Sequence, residues 1–177
     1  DVERSRGLGD VYKRQAIIDI GSDTVRFQIF ENFKDNQVAI FNKKITCGLG
    51  KDLIKNNKLN KDSIKKAMNA LYYIKELIDS SNIKNYEIFA TEAVRVAKNR
   101  DAFIADAENI LKKKIHVLTG DEEAKFSAMG CIVGLKKSNG LVADLGGGSL
   151  ELAEVKKKEI MNTCLLYTSD AADDTPC

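Results

Sequence analysis

The chain has 177 residues, 44% of them hydrophobic, and its 28 Lys+Arg against 26 Asp+Glu leave a formal charge of +2. That balance is too even to argue for nucleic acid, and a chain of this length can bury one good hydrophobic centre. No apolar run approaches ~18 residues and no signal-like start is recognisable, so the expectation is a cytoplasmic protein with no membrane partner.

The two ends read differently from the middle. Residues 1–15 have no sustained apolar periodicity, and residues 164–177 end in an acidic, alanine-rich run that holds the only proline. Both resemble translated adapter sequence. The expected organisation is a non-native flank at 1–15, a first lobe at 16–138, the start of a truncated second lobe at 139–163 and a second non-native flank at 164–177. On that reading the natural sequence continues past Thr163, and this chain alone has little activity. Cys47 and Cys131 are isolated and no CxxC pair occurs, which argues against zinc.

In chain order, Ala16–Ile20 is a short apolar run that ends in Gly21-Ser22-Asp23-Thr24, and Val25–Phe30 alternates as a strand. Val38–Thr46 predicts a third strand. From Lys61 to Ile78 the apolar residues fall at helical intervals, with Asn60 or Asp62 placed to cap. Tyr86–Thr91 predicts a strand, Glu92 to about Lys113 a helical segment, and Ile115–Leu118 another strand. A helix follows from Thr119 to about Val133, then a strand from Leu141 to Asp144, a three-glycine turn, and a strand over Leu150–Val155. Three strands followed by alternating helices and strands predict an α/β fold with a mixed sheet, the ribonuclease H-like unit of actin-like folds. His116, the only histidine, is read as structural.

The turns at Asp19-Ile-Gly-Ser-Asp and Asp144-Leu-Gly-Gly-Gly-Ser share one architecture of strand, acid, glycine, hydroxyl and strand. Taken alone, each could be a plain hairpin. Two of them, each with an acid two residues before the glycine, favour a paired phosphate clamp, because glycines let backbone N–H groups approach an anion. Gly21, Ser22, Asp23, Gly146, Gly147, Gly148 and Ser149 are the candidate phosphate-binding residues of the turns. Mg²⁺ is the expected ion for Asp144, with Asp19 and Glu151 as further ligands. Glu122 and Glu123 can both be ordinary first-turn acids that favour a helix dipole.

Four segments together resemble the exopolyphosphatase and guanosine pentaphosphate phosphatase family. They are Asp19–Arg26, Ala90–Asn99 (Ala-Thr-Glu-Ala-Val-Arg-Val-Ala-Lys-Asn), Gly120–Ala124 (Gly-Asp-Glu-Glu-Ala) and Asp144–Glu151. The first and last are shared loosely with actin-like kinases and ATPases, whereas the middle two are specific. The resemblance implies that Arg26 and Arg95 neutralise phosphate and that Glu123 is the catalytic base. It also implies hydrolysis of terminal phosphoanhydrides of polyphosphate or guanosine pentaphosphate, with a second copy of the full-length protein as an allowed partner. The chain departs from the family at Asp23, where asparagine is usual, and at Leu150, where threonine is usual. The competing readings are an actin-like ATP-binding module or kinase, and a phosphate-binding fragment without turnover.

Overall fold

Ala16, Ile18 and Ile20 alternate with more exposed residues, and this period of two makes β1 (Arg14–Ile20) a strand with one buried face. β2 (Thr24–Phe33) and β3 (Asn36–Thr46) follow as an antiparallel meander. The computed structural model describes residues 14–33, 36–135 and 139–167. After β3 a one-turn helix α1 (Leu53–Asn56) leads to α2 (Lys61–Ser80), whose first turn is capped by the Asn60 side chain accepting from the Asp62 N–H at 2.8 Å. β4 (Asn85–Ala90) then runs parallel to β1, and β5 (His116–Val117) parallel to β4. The sheet order is β3-β2-β1-β4-β5, the mixed sheet that the element order predicts.

The core lies on one face of this sheet. Ile18, Ile20, Val25, Phe27 and Ile88 from the strands meet Leu71, Ile74 and Ile78 of α2 and Phe103, Ala107 and Leu111 of a later helix over Arg100–Leu111. The spacing of the α2 residues is that of a helical apolar stripe, so burial of the stripe fixes the helix across the sheet.

The helical segment expected from Glu92 to Lys113 is broken into α3 (Glu92–Val96) and α4 (Arg100–Leu111), with Ala97 extended between them. The cause is tertiary. The Asn99 amide accepts from the Leu59 N–H at 2.8 Å and donates to the Leu59 carbonyl at 3.2 Å, and the Lys98 N–H reaches the Asn57 carbonyl at 2.9 Å. The Lys98 N–H that bonds to the Asn57 carbonyl cannot also donate to the Val94 carbonyl of a continuing helix, and the Asn99 side chain holds this junction to Leu59.

α5 (Gly120–Gly134) leads to a second sheet, β6 (Gly140–Leu145), β7 (Ser149–Lys156) and β8 (Glu159–Tyr167), antiparallel in that order. The sequence reading expects only the β6–β7 hairpin, and it sets residues 164–177 aside. The structure pairs Cys164 with Leu152 and Tyr167 with Ser149, so Cys164–Tyr167 complete a third strand. Lys157 and Lys158 make the tight β7–β8 connection in left-handed backbone, a conformation that lysine composition does not announce. The remaining residues of both flanks, 1–13 and 168–177, lie outside the described residues. So do 136–138, where the boundary between lobes is expected. Ala128 of α5 packs on Ala153 and Val155, so this helix covers the second sheet. Among the described residues, no helix is long and apolar enough to cross a membrane.

The Asn99 bridge generates a stability prediction. Asn99→Ala leaves the Leu59 N–H and C=O without their partner and should cost about 1–3 kcal/mol in urea unfolding. A loss under about 0.5 kcal/mol would show that the bridge does not hold the α3–α4 break.

Candidate active site

The two glycine turns close in the same way. The Gly21 N–H donates to the Thr24 carbonyl at 2.9 Å, and the Gly146 N–H donates to the Ser149 carbonyl at 2.9 Å. Each is therefore a tight hairpin, with Ser22-Asp23 at one tip and Gly147-Gly148 at the other. None of Gly146, Gly147 and Gly148 has a left-handed φ, so close approach rather than backbone conformation selects glycine here. A Cβ on Gly147 would lie 3.1 Å from the Ser22 Cβ, which shows how tightly the tips face each other.

Between them lies a cavity of about 340 Å³ lined by both turns. Asp19, Arg26 and Lys44 enter from the first sheet, Thr91 and Glu92 from the β4–α3 junction, and Glu123 and Asp144 from the side of the second sheet. The parallel strands β1 and β4 both end here, as the Thr91 N–H bonded to the Ile20 carbonyl at 3.1 Å shows. Ligands of open α/β sheets lie at such strand ends. A smaller hollow of about 90 Å³ between α5 and β6 is lined by residues such as Ile132 and Leu141 and has no charged group.

Neighbouring acids at the start of α5 have different surroundings. Glu122 closes a capping box, accepting from the Thr119 N–H at 2.9 Å and the Thr119 hydroxyl at 3.0 Å, and its other oxygen lies 3.2 Å from His116 Nε2. These hydrogen bonds, the Thr119 N–H foremost, lower the Glu122 pKa below the usual glutamate value. Glu123, one residue on, faces the cavity and accepts from Arg95 Nη1 at 2.8 Å. Burial pushes the Glu123 pKa up, the Arg95 hydrogen bond opposes this, and the charges of Glu151 and Asp19 add to the rise. Arg95 also donates to the Leu118 carbonyl at 2.9 Å and is not among the cavity-lining residues. The structure thus places it behind Glu123, against the Leu118 carbonyl.

The turn serines likewise point inward. Ser22 Oγ donates to Glu92 at 2.7 Å, and Ser149 Oγ donates to Glu151 at 2.5 Å. Ser22, Glu92, Ser149 and Glu151 are all buried. Glu151 does not line the cavity, so its carboxylate serves the turn from behind. Its pKa is raised, first by burial and then by Asp144, its cross-strand partner. Asp19, in the corresponding place, has Arg26 as its cross-strand partner, and burial outweighs that cation in raising its pKa. Asp144 also accepts from Ser127 Oγ at 2.5 Å. Like charges directly opposite are unfavourable.

The metal expectation meets a restricted donor set. Among the described residues, no group of three or more His, Cys, Asp or Glu is spaced to hold an ion. Asp19 and Asp144 do share the cavity, and Asp144 is close enough to raise the Asp19 pKa. One or two carboxylates completed by phosphate oxygens and water is how Mg²⁺ is usually held, so the chemistry of this pair fits that ion. Glu92, Lys44 and Thr91 were not singled out in the sequence. Glu92 sits inside the specific Ala90–Asn99 segment, and an acid at the first position of a helix reads as an ordinary dipole partner.

The sequence pattern of the Ppx/GppA phosphatase family matches residues 29–164. The chain belongs to the Ppx/GppA phosphatase family. It is 37% identical over 155 residues to the bifunctional 3-dehydroquinate synthase/phosphatase of Fusobacterium nucleatum, covering 80% of this chain and 23% of that protein. It is 30% identical to the guanosine-5'-triphosphate,3'-diphosphate pyrophosphatase of Aliivibrio fischeri, covering 77% of this chain and 28% of that one. The crystal structure of an exopolyphosphatase from Cytophaga hutchinsonii superposes with a TM-score of 0.81 at 25% identity, over 88% of this chain and 50% of the other. The chain thus spans about a quarter of the length of these curated relatives and half that of the Cytophaga hutchinsonii exopolyphosphatase chain. The actin-like α/β fold expected from the element order is the fold of this family.

The raised Glu123 pKa has a definite sign in stability. Its folded value lies above its unfolded value, so its contribution is full below the ordinary glutamate range and is lost as pH rises through the folded pKa. Glu123→Gln carries no such charge, so its melting temperature should fall less than that of the wild type between about pH 4.5 and pH 8. Parallel curves over that range would contradict the burial-driven shift.

Proposed function

We propose that this chain forms the phosphate-binding and base-bearing part of an enzyme that hydrolyses terminal phosphoanhydride bonds. The substrates would be polyphosphate ends or guanosine pentaphosphate. The observation that carries this reading is Glu123, whose carboxylate is held by Arg95 at 2.8 Å on the wall of the cavity enclosed by the two glycine turns.

Such a hydrolysis needs the terminal phosphoryl group fixed, its charge spread, and a water oriented in line. The facing turns bring Gly21, Ser22, Asp23, Gly146 and Gly147 to the cavity wall, where their backbone can approach a phosphate. Arg26 and Lys44 supply positive charge from the first sheet. Asp19 and Asp144 would hold magnesium, which when bound would neutralise charge on the phosphate oxygens. Glu123 takes the proton of the attacking water, and its raised pKa makes it a better base than an ordinary glutamate. Arg95 keeps that carboxylate aimed by occupying one oxygen. Glu122 cannot substitute, because its carboxylate is committed to Thr119.

In the intact enzyme, Glu123→Gln should lower kcat by about 10²–10⁴-fold on long-chain polyphosphate or guanosine pentaphosphate, with KM nearly unchanged. Glu122→Gln should change kcat by less than about tenfold, because the amide oxygen can keep the Thr119 bonds and only the charge at the helix start is lost. Phosphate-release kinetics on both substrates check this, and equal rates for Glu123→Gln and wild type would overturn the base assignment.

A further inference from the structure

The third glycine of the Gly146–Gly148 turn stands against a buried carboxylate. A Cβ built on Gly148 would fall 2.5 Å from Glu92 Oε2, 2.8 Å from Cδ and 2.9 Å from Oε1, closer than real Cβ contacts come. Its φ is not left-handed, so the backbone conformation does not demand glycine. Space does, and the atoms that take that space are those of Glu92. The same carboxylate accepts the Ser22 hydroxyl at 2.7 Å. Glu92, at the first position of α3, is therefore in contact with both turns, with Ser22 by a hydrogen bond and with Gly148 by packing. It is 8% exposed, as is Ser22.

We propose that Glu92 is a positioning residue that sets the separation of the two turns, and that Gly148 is glycine because of Glu92. The proposal rests on the reading of the turns as a phosphate clamp. Glu92 is anchored at the end of the parallel strands, independently of the Gly146–Gly148 turn. It follows Thr91, whose N–H is bonded to the Ile20 carbonyl at 3.1 Å, and Thr91 accepts from the N–H groups of Val94 and Arg95 at 3.1 and 3.0 Å. A carboxylate fixed at that junction can act as a spacer, with one turn tied to it and the other resting on it. Its reach also relates the clamp to the base, because Arg95, which holds Glu123, stands one turn further along α3. A carboxylate used as a hydrogen-bond acceptor can be replaced by an amide oxygen, whereas a methyl group can replace neither its bond nor its bulk.

The test is a double-mutant cycle in the intact enzyme, read by calorimetric binding of inorganic phosphate in the presence of Mg²⁺ and by KM on long-chain polyphosphate. Gly148→Ala should weaken phosphate binding about tenfold or more, and Glu92→Ala about threefold to tenfold. The double variant should bind as well as Glu92→Ala alone, because removing the carboxylate removes the clash. Glu92→Gln should stay within about threefold of wild type. If the losses multiply in the double variant, Gly148 is needed for the anion itself and the proposal fails. It also fails if Glu92→Ala binds phosphate normally, or if Glu92→Gln binds it more tightly, since the carboxylate would then be a competitor for the clamp. If Gly148→Ala does not fold, the Glu92→Ala and Glu92→Gln pair decides alone: equal binding by the two overturns the proposal. Wild type that binds phosphate but releases none from polyphosphate would refute the proposed activity and leave this cycle readable.

Discussion

A carboxylate can stay partly buried only where a partner offsets the loss of water, and the pairing of Glu123 with Arg95 is the contact on which the rest of this site depends. The carboxylate is drawn to the cavity by its place one residue past the capping box, and it is kept there by an arginine whose second bond is to the end of the strand segment before α5. Without that arginine, burial and the nearby charges of Glu151 and Asp19 would all favour protonation. The fold solves the problem by bringing α3 and the start of α5 to the same strand ends, so that one residue of each meets across the edge of the cavity.

The same economy recurs at the turns. Each acid that precedes a glycine turn is paired across the hairpin, Asp19 with Arg26 and Asp144 with Glu151. The first pair sets opposite charges across the strands. The second leaves two acids opposite each other, an arrangement that a cation shared with phosphate would relieve. Behind both tips a serine hydroxyl is directed inward to a glutamate, so the turns are stiffened from within the protein.

Much of this was legible in the sequence, for physical reasons that can be named. The meander, α2 and the parallel strands follow from apolar periods of two and 3.6, and the two turns are marked by glycine after an acid. The distinction between Glu122 and Glu123 was not visible from residue type, since both suit a helix start, and needed either the family pattern or the capping geometry. The resemblance implies Arg95 as a phosphate ligand, and its bonds to Glu123 and to the Leu118 carbonyl, made with residues far along the chain, could not be read from the sequence. The break at Ala97 depends on Asn99 reaching Leu59, 40 residues away, and no local pattern reports such a bond. The third strand of the second sheet was hidden because its last residues, Cys164–Tyr167, belong to a segment that reads as an adapter.

The central claim is that the two glycine turns form one anion site under Glu123. The most direct test is a titration of ¹⁵N-labelled protein with inorganic phosphate in the presence of Mg²⁺, following backbone amides by NMR. The account predicts that the largest shifts fall together on residues 22–23 and 146–148, with Glu123 responding at the same phosphate concentration. Shifts confined to the hollow around Ile132 and Leu141, or to one turn without the other, would contradict it.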